Sequence, residues 1–194
     1  MAVRDALLVL LTVGPAYGFQ LHGGLAARTG GRRRINVGQT YATLERLQKQ
    51  GLVEPAGTTD DGLPLHRLTA SGERAARAWL DGADAANSDP WDETVDRVLI
   101  ARSLPGVDAG AVLAAERGRW ARRRDAASVL AADPAPDSET QLVALSAAAE
   151  RSRAEAALAW LDTVSAHDPR PFAPRAERPK RGRRPAAAAQ PADA

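Results

Sequence analysis

The side chains best placed for chemistry lie between residues 32 and 53. Arg32, Arg33 and Arg34 are consecutive, and the stretch VGQTYATLERLQKQGLV follows at 37–53. Wound as a helix at about 100° per residue, Val37, Tyr41, Leu44 and Gln48 share one side, with Leu47 and Thr40 flanking. That side is expected to pack. Gln39, Thr43, Arg46 and Gln50 fall opposite, with Ala42 and Lys49 beside them, and Glu45 nearer the packed side. The resulting stripe offers amide, hydroxyl and guanidinium groups without a carboxylate. Glutamine can bind adenine N6 and N7, arginine can bind guanine O6 and N7, and the methyls of Ala42 and Thr43 can meet a thymine methyl. The helix N-terminus would aim backbone donors at phosphate, with the three arginines alongside. A solvated polar face has the same residue types, so the neighbouring elements must decide between the two readings.

Those elements are legible. Val3 to Thr12 reads as an apolar helix closed by a left-handed turn at Gly14. Pro15 suits the first turn of a second helix running to about Thr29. Gly30-Gly31 breaks the chain before the arginines. A third helix ends near Gly51, Leu52 to Ala56 reads as a strand, Asp61-Gly62 as a hairpin turn and Pro64 to Leu68 as the returning strand. Thr69 is a suitable N-cap for a helix through Leu80. Three helices and a two-stranded hairpin make a winged helix-turn-helix over residues 1–84, with Arg67 on the wing. Trp91–Ser103, Ala109–Ala132 and Ser138–His167 read as further helices, and 90–167 as a helical dimerisation or effector domain. Proline, arginine and alanine dominate 168–194, which shows no apolar periodicity and is expected to lack a fixed structure.

Composition narrows the function classes. Hydrophobic residues make up 44% but aromatics only 4%, which favours helices packed by alanine and leucine. There is no cysteine, excluding thiolate metal sites and disulfides, and a cytoplasmic location is expected. His22, His66 and His167 show no ligand spacing, and no metal or cofactor is expected. Nor is there a recognisable Ser/His/Asp set or phosphate loop, so the chain does not read as an enzyme. The apolar run Ala6 to Val13 is far below the ~20 residues of a membrane span. Residues 1–69 carry eight Lys/Arg against five Asp/Glu, residues 70–169 eleven against seventeen, and residues 170–194 seven against two. The basic ends point to a polyanion.

Several stretches together resemble the PadR family of bacterial transcriptional regulators, over about residues 3–165. They are LLVLLTVGPAYGFQL, VGQTYATLERLQKQGLV, the wing segment DDGLPLHRLT and the ASG after it. Gly14, Pro15, Gly18, Phe19 and Leu21 match the family's Gly-Pro-x-x-Gly-aromatic-x-Leu opening of the second helix. Gly38, Tyr41, Leu44, Arg46, Leu47, Gly51, Leu52 and Val53 match its recognition helix and strand entry. Gln39, Thr40 and Ala42 replace the usual Thr, Leu and Pro, so the operator sequence does not carry over. His66 stands where the family has an inward-packing wing tyrosine. The resemblance implies a homodimeric repressor with a C-terminal helical dimerisation domain, sensing a small effector in some members.

The expected DNA contacts are Arg32, Arg33, Arg34, Gln39, Thr40, Tyr41, Ala42, Thr43, Arg46, Lys49 and Arg67, with residues 38–50 in the major groove of a double-stranded operator. Pairing through the C-terminal helices would bury their apolar stripes and set two recognition helices ~34 Å apart. Trp91, Trp120 and Trp160 are candidates for a small hydrophobic effector's pocket, or else core anchors. Asp92, Glu93 and Asp96 read as a solvated face or as partners for Arg122 to Arg124. In the tail, Lys180, Arg181, Arg183 and Arg184 resemble an AT-hook, an element that lays arginines in a narrow minor groove. An architectural DNA-binding protein driven by that tail is the alternative reading.

Overall fold

A computed structural model describes residues 2–132 and 138–174. Helix α1 (Ala2–Leu10) continues into a 3-10 turn at Leu11–Val13, followed by β1 (Ala16–Tyr17), α2 (Gly18–Arg28) and α3 (Val37–Lys49). The wing strands β2 (Val53–Thr58) and β3 (Pro64–Leu68) come next, then α4 (Ala70–Leu80), α5 (Pro90–Ser103), α6 (Ala109–Ala132) and α7 (Ser138–Ser165).

The sheet has three strands, not the two expected from the hairpin signal. Its order is β1-β3-β2, all antiparallel, with Ala16 opposite His66, Tyr17 opposite Leu65 and Glu54 opposite Arg67. The extra strand comes from residues expected to begin the second helix. Gly14 is not in the left-handed helical region but at φ 144° and ψ 180°, a backbone conformation that favours glycine. It sends Pro15 and the two residues after it alongside β3, so α2 starts only at Gly18.

Two hydrophobic cores meet at α5. Leu7, Leu8, Leu25, Leu44, Leu47 and Trp79 fill the first, beneath the winged helix-turn-helix. Ala154, Ala157, Leu161 and Trp120 fill the second, between α6 and α7. Helix α5 gives Ile100 to the first and Val98 and Ala101 to the second. A helix packed on both sides has almost no solvent face, and Glu93 through Val98 are all buried. At Gly72, a Cβ would lie 2.0 Å from the Leu52 carbonyl oxygen, so only glycine lets α4 approach the wing this closely.

The segment after α7 departs from expectation. Residues 169–174 lie on the fold: the Phe172 amide donates to the Ser103 carbonyl at 3.1 Å, and the Arg28 guanidinium sits 4.2 Å from the Phe172 ring centroid. Composition misses this because one phenylalanine meeting a buried arginine leaves no periodicity. Lys180, Arg181, Arg183 and Arg184 lie outside the described residues.

Candidate nucleic-acid interface

Helix α3 is the element best built to present side chains outward. Asn36 caps it: its Oδ1 accepts from the Gln39 amide at 2.7 Å, and Gln39 Oε1 accepts from the Asn36 amide at 3.1 Å. This reciprocal pair engages two backbone donors at the helix start. It also holds the Gln39 carboxamide at the N-terminal rim.

The helix is rotated by roughly 80° from the orientation expected from its residue pattern. Thr40, Thr43, Leu44 and Leu47 form the buried side, while Tyr41, Gln48 and Glu45 face outward. Thr40 and Thr43, expected among the DNA contacts, therefore lie on the packed side. Thr43 is only 7% exposed, and its hydroxyl donates to the Gln39 carbonyl at 2.8 Å. Thr40 Oγ1 lies 3.4 Å from His22 Nδ1. A helical threonine can satisfy its hydroxyl on its own backbone and pack its methyl inward, which a count of polar residues cannot register. Tyr41 remains 42% exposed because its ring leans across the first turn of α2 instead of entering the core. A Cβ on Gly18 would stand 2.5 Å from that ring, so the glycine makes the seat for the tyrosine.

The open face thus carries Gly38, Tyr41, Ala42, Glu45, Arg46 and Lys49. The absence of a carboxylate, expected from the winding, does not hold. Glu45 projects outward and bonds Lys49 at 2.6 Å, and the ammonium holds its carboxyl below the usual range. Arg46 bends back along the helix, donating to the Ala42 carbonyl and to Thr43 Oγ1, both at 3.2 Å.

The arginine triplet divides. Arg32 bonds Asp92 at 2.7 Å, and Arg33 bonds Asp96 at 2.5 Å and Asp92 at 3.2 Å. Arg34, the third, is exposed. Asp92 and Asp96 are therefore neither a solvated face nor partners of Arg122 to Arg124: they tether the loop before α3 to α5. Burial pushes the Asp96 carboxyl above its ordinary value, against the pull of Arg33. On the wing, exposed Arg67 pairs with Glu54 at 2.7 Å. His66 sits mid-sheet, its Nδ1 buried without a hydrogen-bond partner, and desolvation lowers its pKa.

A buried polar network behind this face went unread in the sequence. Arg97, fully buried, donates to the Trp79 carbonyl at 2.5 Å, to Asp84 at 2.9 Å and to Glu116. Trp79 Nε1 donates to Glu93 at 2.6 Å, the Thr94 hydroxyl to Glu116 at 2.7 Å, and Trp120 Nε1 to Thr94 at 2.9 Å. The network joins α4, α5 and α6. Its signal in the sequence was the Glu93–Arg97 spacing of four on a helix with apolar residues on both sides.

The tryptophans considered for an effector are packed. Trp120 is 1% exposed, and Trp91 meets Trp120 and Trp160 edge-to-face at 6.2 and 5.2 Å. This is an edge-to-face joint between α5, α6 and α7, so these rings anchor the core. Leu130, Leu142, Val143 and Leu145 remain exposed at the far end of the α6–α7 pair. Among the described residues, no three His, Asp or Glu side chains are grouped to hold a metal, and no helix is long and apolar enough to cross a membrane.

Residues 7–78, from α1 to near the end of α4, match the sequence model of the transcriptional regulator PadR-like family. No curated protein matches the chain significantly. Among solved structures, Bacillus subtilis PadR in complex with operator DNA is similar at 18% identity and a TM-score of 0.38, covering 84% of this chain and 96% of that one. Bacillus subtilis PadR in complex with p-coumaric acid is similar at 20% identity and 0.37, covering 86% and 98%. The Vibrio cholerae virulence activator AphA is similar at 21% identity and 0.35, covering 84% and 96%.

Proposed function

We propose that this chain, whose residues 7–78 belong to the PadR-like family of transcriptional regulators, is a sequence-specific DNA-binding regulator that places the open face of α3 in the major groove. The observation that carries the reading is that face itself: Tyr41, Ala42, Arg46 and Lys49 project from a capped, rigid helix, with Gln39 at its rim. Exposed Arg34 lies on the preceding loop and exposed Arg67 on the wing. Arg46 suits guanine, Ala42 a thymine methyl, and Glu45 can accept from cytosine N4 while Lys49 offsets its charge against phosphate. Arg32 and Arg33 contribute by holding the loop through Asp92 and Asp96. Thr40 and Thr43 contribute from inside the fold.

The regulator works as a homodimer through its C-terminal helices. Leu130, Leu142, Val143 and Leu145 are more than half or about half exposed on an alanine-rich helix pair that lacks large side chains to bury them internally. A second copy supplies the missing surface, and the twofold pair presents two recognition helices to successive turns of one duplex. A small hydrophobic effector relieves repression. The space open to it is a cleft of about 960 Å³ between the winged domain and the start of α6, bordered by Leu11, Leu68, Leu80, Val107 and Val112. That is at the upper end of ligand-pocket sizes.

Selecting duplexes from random sequence with the full chain tests the reading. A palindromic consensus is expected, with a stoichiometry of two chains per site by sedimentation. A monomer on DNA, or no enriched sequence, overturns it.

A further inference from the structure

The three consecutive arginines before α3 are held unequally, and Asp92 makes the difference. Arg33 is tied inward: it bonds Asp96, whose side chain is 1% exposed, at 2.5 Å. Arg32 is tied at the surface. Its guanidinium donates to Asp92 Oδ1 at 2.7 Å, with the two side chains 39% and 41% exposed. Its Nε stands 4.0 Å from Asp96, too far for a hydrogen bond, so among the described residues Asp92 is the guanidinium's bonded partner. Asp92 also reaches Arg33 at 3.2 Å.

Position gives that pair a consequence. Arg32 lies shortly before the Asn36 cap of α3, within ~14 Å of chain. A helix N-terminus attracts phosphate, so a free cation beside it would bind the DNA backbone in many orientations. A cavity of about 380 Å³, bordered by Arg32, Arg34, Ser88 and Asp92, leaves the Arg32 side chain room to turn. Asp92 holds it back from the first turn of α5, where the helix dipole favours a carboxylate. An isolated surface ion pair is weak, but a network of charges holds better. Here Asp92 is shared by two arginines, and Asp96 stands behind both.

We propose that Asp92 is a specificity-determining residue: it withholds Arg32 from backbone phosphate and so weakens binding to wrong sequences. The inference rests on the DNA-binding reading above and deepens it. On a wrong sequence, affinity comes from phosphate contacts gathered in whatever orientation offers them. A neutralised Arg32 removes one such contact. On the right sequence, the fit of α3 to its bases fixes one orientation, with Arg32 still turned to α5. Asp92 thus widens the ratio between right and wrong sequences without touching a base.

Anisotropy titrations of the full chain, on a selected duplex and on a scrambled duplex of equal length, test the role of Asp92. On scrambled DNA, Asp92→Asn should bind about fourfold tighter, the worth of one phosphate contact. Its log–log salt slope should steepen by about 0.9, so going from about 50 to 200 mM salt costs it ~3.5-fold more affinity than it costs the parent. On the selected duplex the slope should hold, and the ratio of the two affinities should fall about fourfold. Adding Arg32→Ala to Asp92→Asn should return scrambled binding to the parental value, because the freed cation is gone. A gain that persists without Arg32 overturns the proposal, since lost negative charge alone would then explain it. Equal gains on both duplexes, or no gain on scrambled DNA, overturn it too. A full chain that enriches no duplex overturns the DNA reading and the role of Asp92 together. Enrichment followed by any of the other failures overturns the role of Asp92 alone.

Discussion

Arg97 and Arg46 carry the same guanidinium on neighbouring parts of the molecule, and their surroundings set them to opposite tasks. Arg97 is fully buried, hemmed in by Glu116, Asp84 and the Trp79 carbonyl, and nothing outside the fold can reach it. Arg46 lies along the surface of α3 on two 3.2 Å bonds within its own helix. The desolvation cost of Arg97 is met only while every partner stays in place, so it ties α4, α5 and α6 into one unit. The bonds of Arg46 are weak enough to exchange for a base edge. A guanidinium thus acts as a structural clamp where it is enclosed by carboxylates, and stays available to a ligand, here proposed to be a base edge, where it is not. Arg33 stands between the two, partly exposed yet bonded to the buried carboxyl of Asp96.

The largest effect should come from breaking the enclosed side. Arg97→Ala leaves buried carboxylates unpaired and should cost about 3–5 kcal/mol of unfolding free energy in urea titration. Adding Glu116→Gln should recover part of it, since a neutral amide replaces one orphaned charge. No recovery would mean that packing of the arginine, not its charge, holds the junction.

On the open side the expected change is in binding. Arg46→Ala should weaken operator affinity by about 1–3 kcal/mol and relax the choice of one base pair, as read by competitive mobility shift. Unfolding free energy should stay within about 0.5 kcal/mol of the parent. The reverse is expected of Thr43→Val, which removes an internal hydroxyl bond and should cost about 1 kcal/mol of stability. A specificity change at Thr43 with unaltered stability would return the helix to the orientation its residue pattern suggests.

Smaller effects follow from titration. Desolvation is the largest cause raising the carboxyls of Asp5 and Asp96. A folded-state pKa above the unfolded one means the stability they confer is fully present below about pH 3.9 and is lost as pH rises through the raised values. The stability difference between the parent and Asp96→Asn should therefore fall as pH rises above about 4, and a difference that grows would refute the assignment. His66 has the opposite sense. Its pKa is lowered by burial, so its contribution is present above about pH 6.5 and is lost as pH falls from there. His66→Phe should flatten thermal stability between pH 7 and 5.

Much of the frame was legible in residue order. Helices at Ala109–Ala132 and Ala70–Leu80 appear where their breakers and the Thr69 cap place them, and Thr69 accepts the Gly72 amide at 3.1 Å. Such signals are local: a cap, a turn glycine or an apolar repeat acts within a few residues of itself. The third strand was not legible, because Ala16-Tyr17 is a strand only through β3, some fifty residues away. Nor were the partners of Arg32 and Arg33, which lie sixty residues on.

The sequence alone determined the helices, the wing hairpin and the match of residues 7–78 to the PadR-like family model, since all of these rest on short-range pattern. The tertiary structure decided which side of α3 faces out, which arginines are held inside ion pairs, and where the chain after α7 comes to rest. Each of those depends on which distant groups share a low-dielectric space, and burial of charge is a property of the packed whole.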